Sequence, residues 1–113
     1  MILIIREKAT SEEISKMLEP LETYIKVAVD TERQILAGGG ILHADCEAEL
    51  LADGGNQDEI WGADWIPDTK QVRFEALINI RPRQGNRSMR IEDEQTRSKV
   101  ETIIHRYLEA PRE

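Results

Sequence analysis

Glu59-Ile60-Trp61-Gly62-Ala63-Asp64-Trp65-Ile66-Pro67-Asp68-Thr69-Lys70-Gln71-Val72-Arg73-Phe74-Glu75-Ala76-Leu77-Ile78-Asn79-Ile80 decides the fold. Two runs of alternating apolar residues flank Pro67-Asp68-Thr69-Lys70, which places proline where a type I turn accepts it. Trp61, Ala63 and Trp65 fall on one face of the first run; Val72, Phe74, Ala76, Ile78 and Ile80 share a face of the second. The spacing predicts an antiparallel hairpin with strands at Glu59–Ile66 and Gln71–Ile80. Such a hairpin needs a second layer to cover its apolar face.

Working outward, the upstream chain supplies a second hairpin. From Thr23 to Asp30, Ile25, Val27 and Val29 alternate with Tyr24, Lys26, Ala28 and Asp30. A short partner is predicted at Gln34–Ala37, with Gly38-Gly39-Gly40 breaking it. Ile2–Ile5 reads as a strand buried on both faces. Three helices fill the gaps. Thr10 and Glu13 have capping-box spacing ahead of Ile14, Met17, Leu18 and Leu21, and Pro20 limits that helix to Leu18 or Glu19. Leu42, Cys46 and Leu50 mark a second helix up to Ala52. Asp93 caps a third, with Val100, Ile103, Ile104, Tyr107 and Leu108 as its apolar stripe and Pro111 at its end. The expected order is β-α-β-β-α-β-β-α. The fold class is α+β: a small, mostly antiparallel sheet with helices packed mainly on one face.

At 113 residues the chain suits one domain, residues 1–113. A single cysteine excludes an internal disulfide framework and fits a reducing cytoplasm. No apolar run approaches the ~20 residues that span a bilayer. Met1–Ile5 is too short for a signal segment and is followed at once by Arg6 and Lys8. A net charge of −7 weighs against nucleic-acid binding by the whole surface.

Against that charge, Arg81-Pro82-Arg83-Gln84-Gly85-Asn86-Arg87-Ser88-Met89-Arg90 holds four arginines and no acid. A guanidinium is a planar fork of donors that keeps its charge and matches carboxylate or phosphate. The loop would take an anionic small molecule or an acidic protein: Arg81, Arg83, Arg87 and Arg90 hold charge, Asn86 and Ser88 orient, and Asp64 positions an arginine. The competing reading is internal pairing. Gln34 to Thr69 contains no Lys or Arg and eight acids, enough to neutralise the loop within one chain or across a homodimer.

Other constellations are weighed in the same way. His43, Asp45 and Glu47 could begin a divalent-metal site for a hydrolase or phosphoryl-transfer enzyme, though acids in a first helical turn also suit the helix dipole without metal. No cofactor is otherwise expected. Cys46 with His43 could form a thiol and its base, but Cys46 falls on the apolar stripe. Gly38-Gly39-Gly40 lacks the Gly-Lys-Ser/Thr ending of a phosphate loop and is better read as a tight connection. Trp61 and Trp65 could stack RNA bases; two indoles on one sheet face are more often core.

Trp61-Gly62-Ala63-Asp64-Trp65, Leu36-Ala37-Gly38-Gly39-Gly40 and Ile78-Asn79-Ile80-Arg81-Pro82-Arg83-Gln84-Gly85-Asn86-Arg87-Ser88-Met89 together carry a resemblance. The chain resembles a small uncharacterised prokaryotic family known only as a domain of unknown function. The resemblance covers nearly the whole chain. It implies no activity, ligand or catalytic residue.

Overall fold

The computed structural model describes residues 1–113. Strands β1 (Leu3–Ile5), β2 (Ile25–Asp30), β3 (Ile35–Gly40), β4 (Ile60–Ile66) and β5 (Gln71–Arg73) form one sheet in the order β1-β3-β2-β4-β5, antiparallel throughout. Helices α1 (Ser11–Leu18), α2 (His43–Ala52) and α3 (Glu94–Leu108) complete the α+β fold. The expected order of elements holds. No helix is long and apolar enough to cross a membrane.

The helix starts follow from their caps. Thr10 Oγ1 accepts from Glu13 N at 3.1 Å while Glu13 Oε1 accepts from Thr10 N at 2.9 Å, a complete capping box. Asp93 Oδ2 accepts from Thr96 N at 2.8 Å. Helix α2 has Leu42 at its N-cap position and no side-chain cap.

Two helices cover one sheet face. Ile14 and Met17 of α1 and Val100, Ile103, Ile104 and Leu108 of α3 close over Val27, Val29, Leu36, Trp61, Ala63 and Trp65, within a cluster of 17 buried residues. Both tryptophans are core. The other face is thinner: Cys46 and Leu50 of α2 meet Ala28, Ile35, Ala37 and Ile60 in a cluster of six.

Two strand boundaries differ from the sequence expectation. Strand β3 does not stop at Ala37 but runs through the glycines to Gly40. The register skips Gly39 between Lys26↔Gly40 and Val27↔Gly38, so Gly39 is the extra residue of a bulge, at φ +105°. A Cβ there would lie 2.2 Å from the Met1 carbonyl oxygen, and one on Gly38 would lie 3.2 Å from Met17 Sδ. The glycines do not end the strand; they let the N-terminal segment and α1 lie against it.

Strand β5 is shorter than expected, ending at Arg73 rather than Ile80. Beyond it, the buried Asn79 side chain takes the place of strand backbone: its Oδ1 accepts from Gly62 N at 2.8 Å and its Nδ2 donates to Gly62 O at 2.9 Å. A Cβ on Gly62 would come within 2.6 Å of Ala76 Cβ, so only glycine admits this crossing segment. Leu77–Asn79 form one 3-10 turn, and period-2 alternation is lost. Leu77 is left 71% exposed.

Candidate functional site

The arginine loop is a closed knot tied from inside. Arg81 N donates to Asn86 O at 2.6 Å and Asn86 N returns the bond to Arg81 O at 3.1 Å. Pro82–Gln84 make one turn between them, and Gly85 reverses the chain at φ +81°. The Asn86 side chain is buried, with Nδ2 donating to the carbonyls of Asn79 (2.7 Å), Ser88 (3.0 Å) and Arg90 (2.9 Å). Its Oδ1 accepts from Glu92 N at 2.8 Å. Glu92 Oε2 in turn accepts from Arg87 N (2.7 Å), Ser88 N (2.9 Å) and Ser88 Oγ (3.1 Å). Those bonds, led by the Arg87 amide, hold the Glu92 carboxyl below the usual carboxylate range. Asn86 and Ser88 therefore spend their polar groups on the loop itself.

The four arginines divide. Arg81 makes five hydrogen bonds: Nε to Ile78 O (2.9 Å), Nη1 to Gln57 O (2.8 Å) and Gln84 Oε1 (3.4 Å), and Nη2 to Glu47 Oε2 (3.4 Å) and Ile60 O. Five is the whole donor capacity of a guanidinium. Its plane also lies over Trp61, 4.6 Å from the ring centroid. Burial pulls its pKa below the ordinary arginine value, opposed by the charges of Glu47 and Asp58. Arg81 is thus a structural bolt between the loop, β4 and α2. Arg90 pairs with Glu75 at 3.2 Å. Arg83 and Arg87 are exposed, and neither side chain has an acid partner.

Asp64 is not paired to this loop, contrary to the expectation. Its Oδ1 lies 2.8 Å from His43 Nε2 and its Oδ2 lies 3.3 Å from Arg73 Nη2. Asp64 sits on the α2 face of β4, where the first residue of α2 and the neighbouring strand β5 are nearer than Arg81. His43 Nε2 is also 3.0 Å from Ala63 O, so that nitrogen carries the proton shared by two acceptors.

The His43, Asp45 and Glu47 set is likewise dispersed. His43 turns to Asp64, Glu47 turns to Arg81, and Asp45 is exposed. No group of three or more metal-binding side chains is gathered anywhere in the chain. Cys46 is fully buried with Sγ facing Lys26 O at 3.5 Å, and burial pushes its thiol up to about 11. A thiol so placed is neutral at physiological pH and is no nucleophile.

Beside Arg81 opens a cleft of about 640 Å3. Glu47, Gln57, Asp58, Leu77, Ile78 and Ile80 line it. Arg81 and Gln84 line it as well, and Arg83 brings an exposed cation to it. Sequence reasoning missed Gln57, Asp58, Leu77, Ile78 and Ile80 as part of this place. The period-2 pattern puts Ile78 and Ile80 on a strand face and Leu77 merely within that strand, and nothing local to residues 57 and 58 points across to residue 81. The one legible signal was Asn79, a polar residue in an apolar run.

A family model described as "Protein of unknown function (DUF5674)" matches residues 3–107. The chain belongs to that family. The match spans every strand and all but the last residue of α3, so the arginine loop and its cleft lie wholly within the family domain. No curated protein and no solved structure matches the chain.

Proposed function

We propose that this member of the DUF5674 family is a small binding module whose cleft takes an acidic ligand, or an acidic segment of a partner protein, that also carries an apolar part. Arg83 meets the acid, Leu77, Ile78 and Ile80 meet the apolar part, and Arg81 is the fixed wall behind them; Arg87, exposed on the same loop but outside the cleft, adds positive charge nearby. The observation that carries this reading is the split within the loop. Arg81 has no donor left to give, whereas Arg83 stands at a cleft with its whole fork unspent. The module needs no metal or cofactor for this task. Its lone core cysteine suits the cytoplasm.

A homodimer belongs to the same reading. Leu51, Leu77 and Ile80 are exposed at 38%, 71% and 43%, and helical spacing puts Leu51 one turn beyond Glu47 on the flank of α2 that faces the loop. A second copy presenting an acid such as Asp58 would satisfy Arg83 by two-fold symmetry. Sedimentation velocity on wild type and Leu77→Glu separates this from ligand capture: a dimer abolished by the substitution is the expected result, and a monomer at all concentrations removes it.

Nitrogen-15 NMR titration with sodium octanoate and sodium acetate at equal ionic strength tests the cleft. Octanoate should give saturating shifts at Leu77, Ile80, Arg83 and Gln84, with acetate far weaker. Arg83→Ala/Arg87→Ala should weaken octanoate by about tenfold, the worth of one charge-assisted hydrogen bond. Unchanged affinity in that variant would overturn the reading.

A further inference from the structure

A second polar recess lies away from the arginine loop, where the turn joining β2 to β3 meets α3. It is an open groove of about 250 Å3, lined by Thr31 and Gln34 from the turn and by the exposed Ser98, Lys99, Thr102 and Arg106 from the helix. Ile103, 3% exposed, lies beneath. Helical spacing explains the alignment: residues 98, 99, 102 and 106 stand three or four apart and share one flank of α3.

Most of its donors are unspent. Neither Lys99 nor Arg106 has an acid partner, although the chain holds 22 Asp and Glu. Gln34 is fixed from two sides: its carbonyl accepts from the Tyr107 hydroxyl at 2.7 Å and its Oε1 accepts from Arg106 Nη1 at 2.9 Å. That second bond fixes the amide, so Nε2 is left to donate and the remaining Arg106 N–H groups are free. Thr31 is wall rather than donor, because its hydroxyl proton is spent on Glu59, with O at 2.9 Å and Oε2 at 3.0 Å. Two cations, two hydroxyls and an amide therefore border one small groove.

We propose that this groove is a phosphate-group site, filled by free phosphate or by the phosphate of a small phosphomonoester. A tetrahedral oxyanion offers acceptor oxygens in several directions, as donors spread over a helix flank and a facing turn require; a carboxylate offers two in one plane. The groove volume admits the phosphate and the first few atoms bonded to it. A nucleic-acid backbone is disfavoured, because only two cations are available against a net charge of −7.

The test is a nitrogen-15 NMR titration with inorganic phosphate and with glycerol 3-phosphate, using acetate at matched ionic strength as control. Saturating shifts are expected at the Gln34 side-chain amide and at Ser98, Lys99, Thr102 and Arg106. Stronger binding of glycerol 3-phosphate assigns the site to a phosphomonoester, and equal binding assigns it to phosphate itself. Lys99→Gln/Arg106→Gln should weaken binding at least tenfold, since each lost charge-assisted bond is worth about that factor. Thr102→Asp, a single exposed substitution that adds a negative charge, should abolish binding in a folded protein. Arg83→Ala/Arg87→Ala should titrate like wild type, which keeps this site separate from the arginine-loop cleft. Shifts that grow linearly without saturating, an equal response to acetate, or full affinity in Thr102→Asp would each overturn the proposal.

Discussion

The two faces of the sheet are built by different physics. The face under α1 and α3 is a layer of side chains such as Val27, Trp61, Trp65, Val100 and Ile104, and nothing polar is needed to explain its order. The face under α2 has six apolar residues and is fastened by polar clamps instead. His43 and Arg73 hold Asp64; Arg81 holds Glu47 and two carbonyls of the segment leading into β4. Arg33 ties the end of α2 to the turn after β2. Its Nε meets the buried Asp30 at 2.8 Å, and its Nη atoms meet Asp53 Oδ2, Asp53 O and Leu50 O. Dispersion and burial are forgiving of small shifts, whereas each buried clamp is costly to break from one side. The cleft beside Arg81 lies at one of these clamps, the Glu47–Arg81 pair.

The difference can be broken from either side. Trp65→Ala on the apolar face should have the largest effect, about 3–5 kcal/mol lost in urea unfolding, from the cavity left in a packed layer. Asn79→Ala should follow at about 2–4 kcal/mol, because Gly62 N and O both lose their partner in a site closed to water. A loss below about 0.5 kcal/mol for Asn79→Ala would mean the crossing segment stands without its clamp.

Cys46 sharpens the comparison through pH. Its folded-state pKa is raised, so the stabilisation is complete below the ordinary thiol range, where the thiol is neutral whether folded or not. As pH climbs above that range the unfolded chain ionises first, and stability falls until the folded thiol also ionises near pH 11. Wild type should therefore lose roughly 2–3 kcal/mol more than Cys46→Ala between pH 8 and pH 11. Parallel urea curves at the two pH values check it; equal losses would place the thiol in contact with solvent.

The smallest expected effect is on the loop's outer arginines. Arg83→Ala/Arg87→Ala should change stability by less than about 0.5 kcal/mol, whereas Arg81→Ala should cost about 2–4 kcal/mol by stranding Glu47 and two carbonyls. Similar costs for both variants would erase the division between bolt and free cation.

How much of this the sequence discloses depends on which physics holds each part. The helix starts at Thr10 and Asp93 are local, three residues from cap to partner, and so are legible. The apolar face is legible too, because a period of two in Ile25, Val27 and Val29 and a helical stripe from Val100 to Leu108 record burial directly. The clamped face records almost nothing, since its partners stand far apart: 34 residues separate Glu47 from Arg81, and 21 separate His43 from Asp64. That is why the sequence alone points Asp64 at the arginine loop and groups His43, Asp45 and Glu47 in one site. Gly38 to Gly40 misled for a related reason. Each glycine is set by a close approach of distant chain, which composition alone reads as a break.

The most direct test of the account is native mass spectrometry of untagged protein, purified without chelator, with wild type and Arg83→Ala/Arg87→Ala side by side. The account predicts an extra mass on wild type that the folded double variant lacks. The same spectrum from both proteins would contradict it and leave the arginines of this loop as parts of the fold.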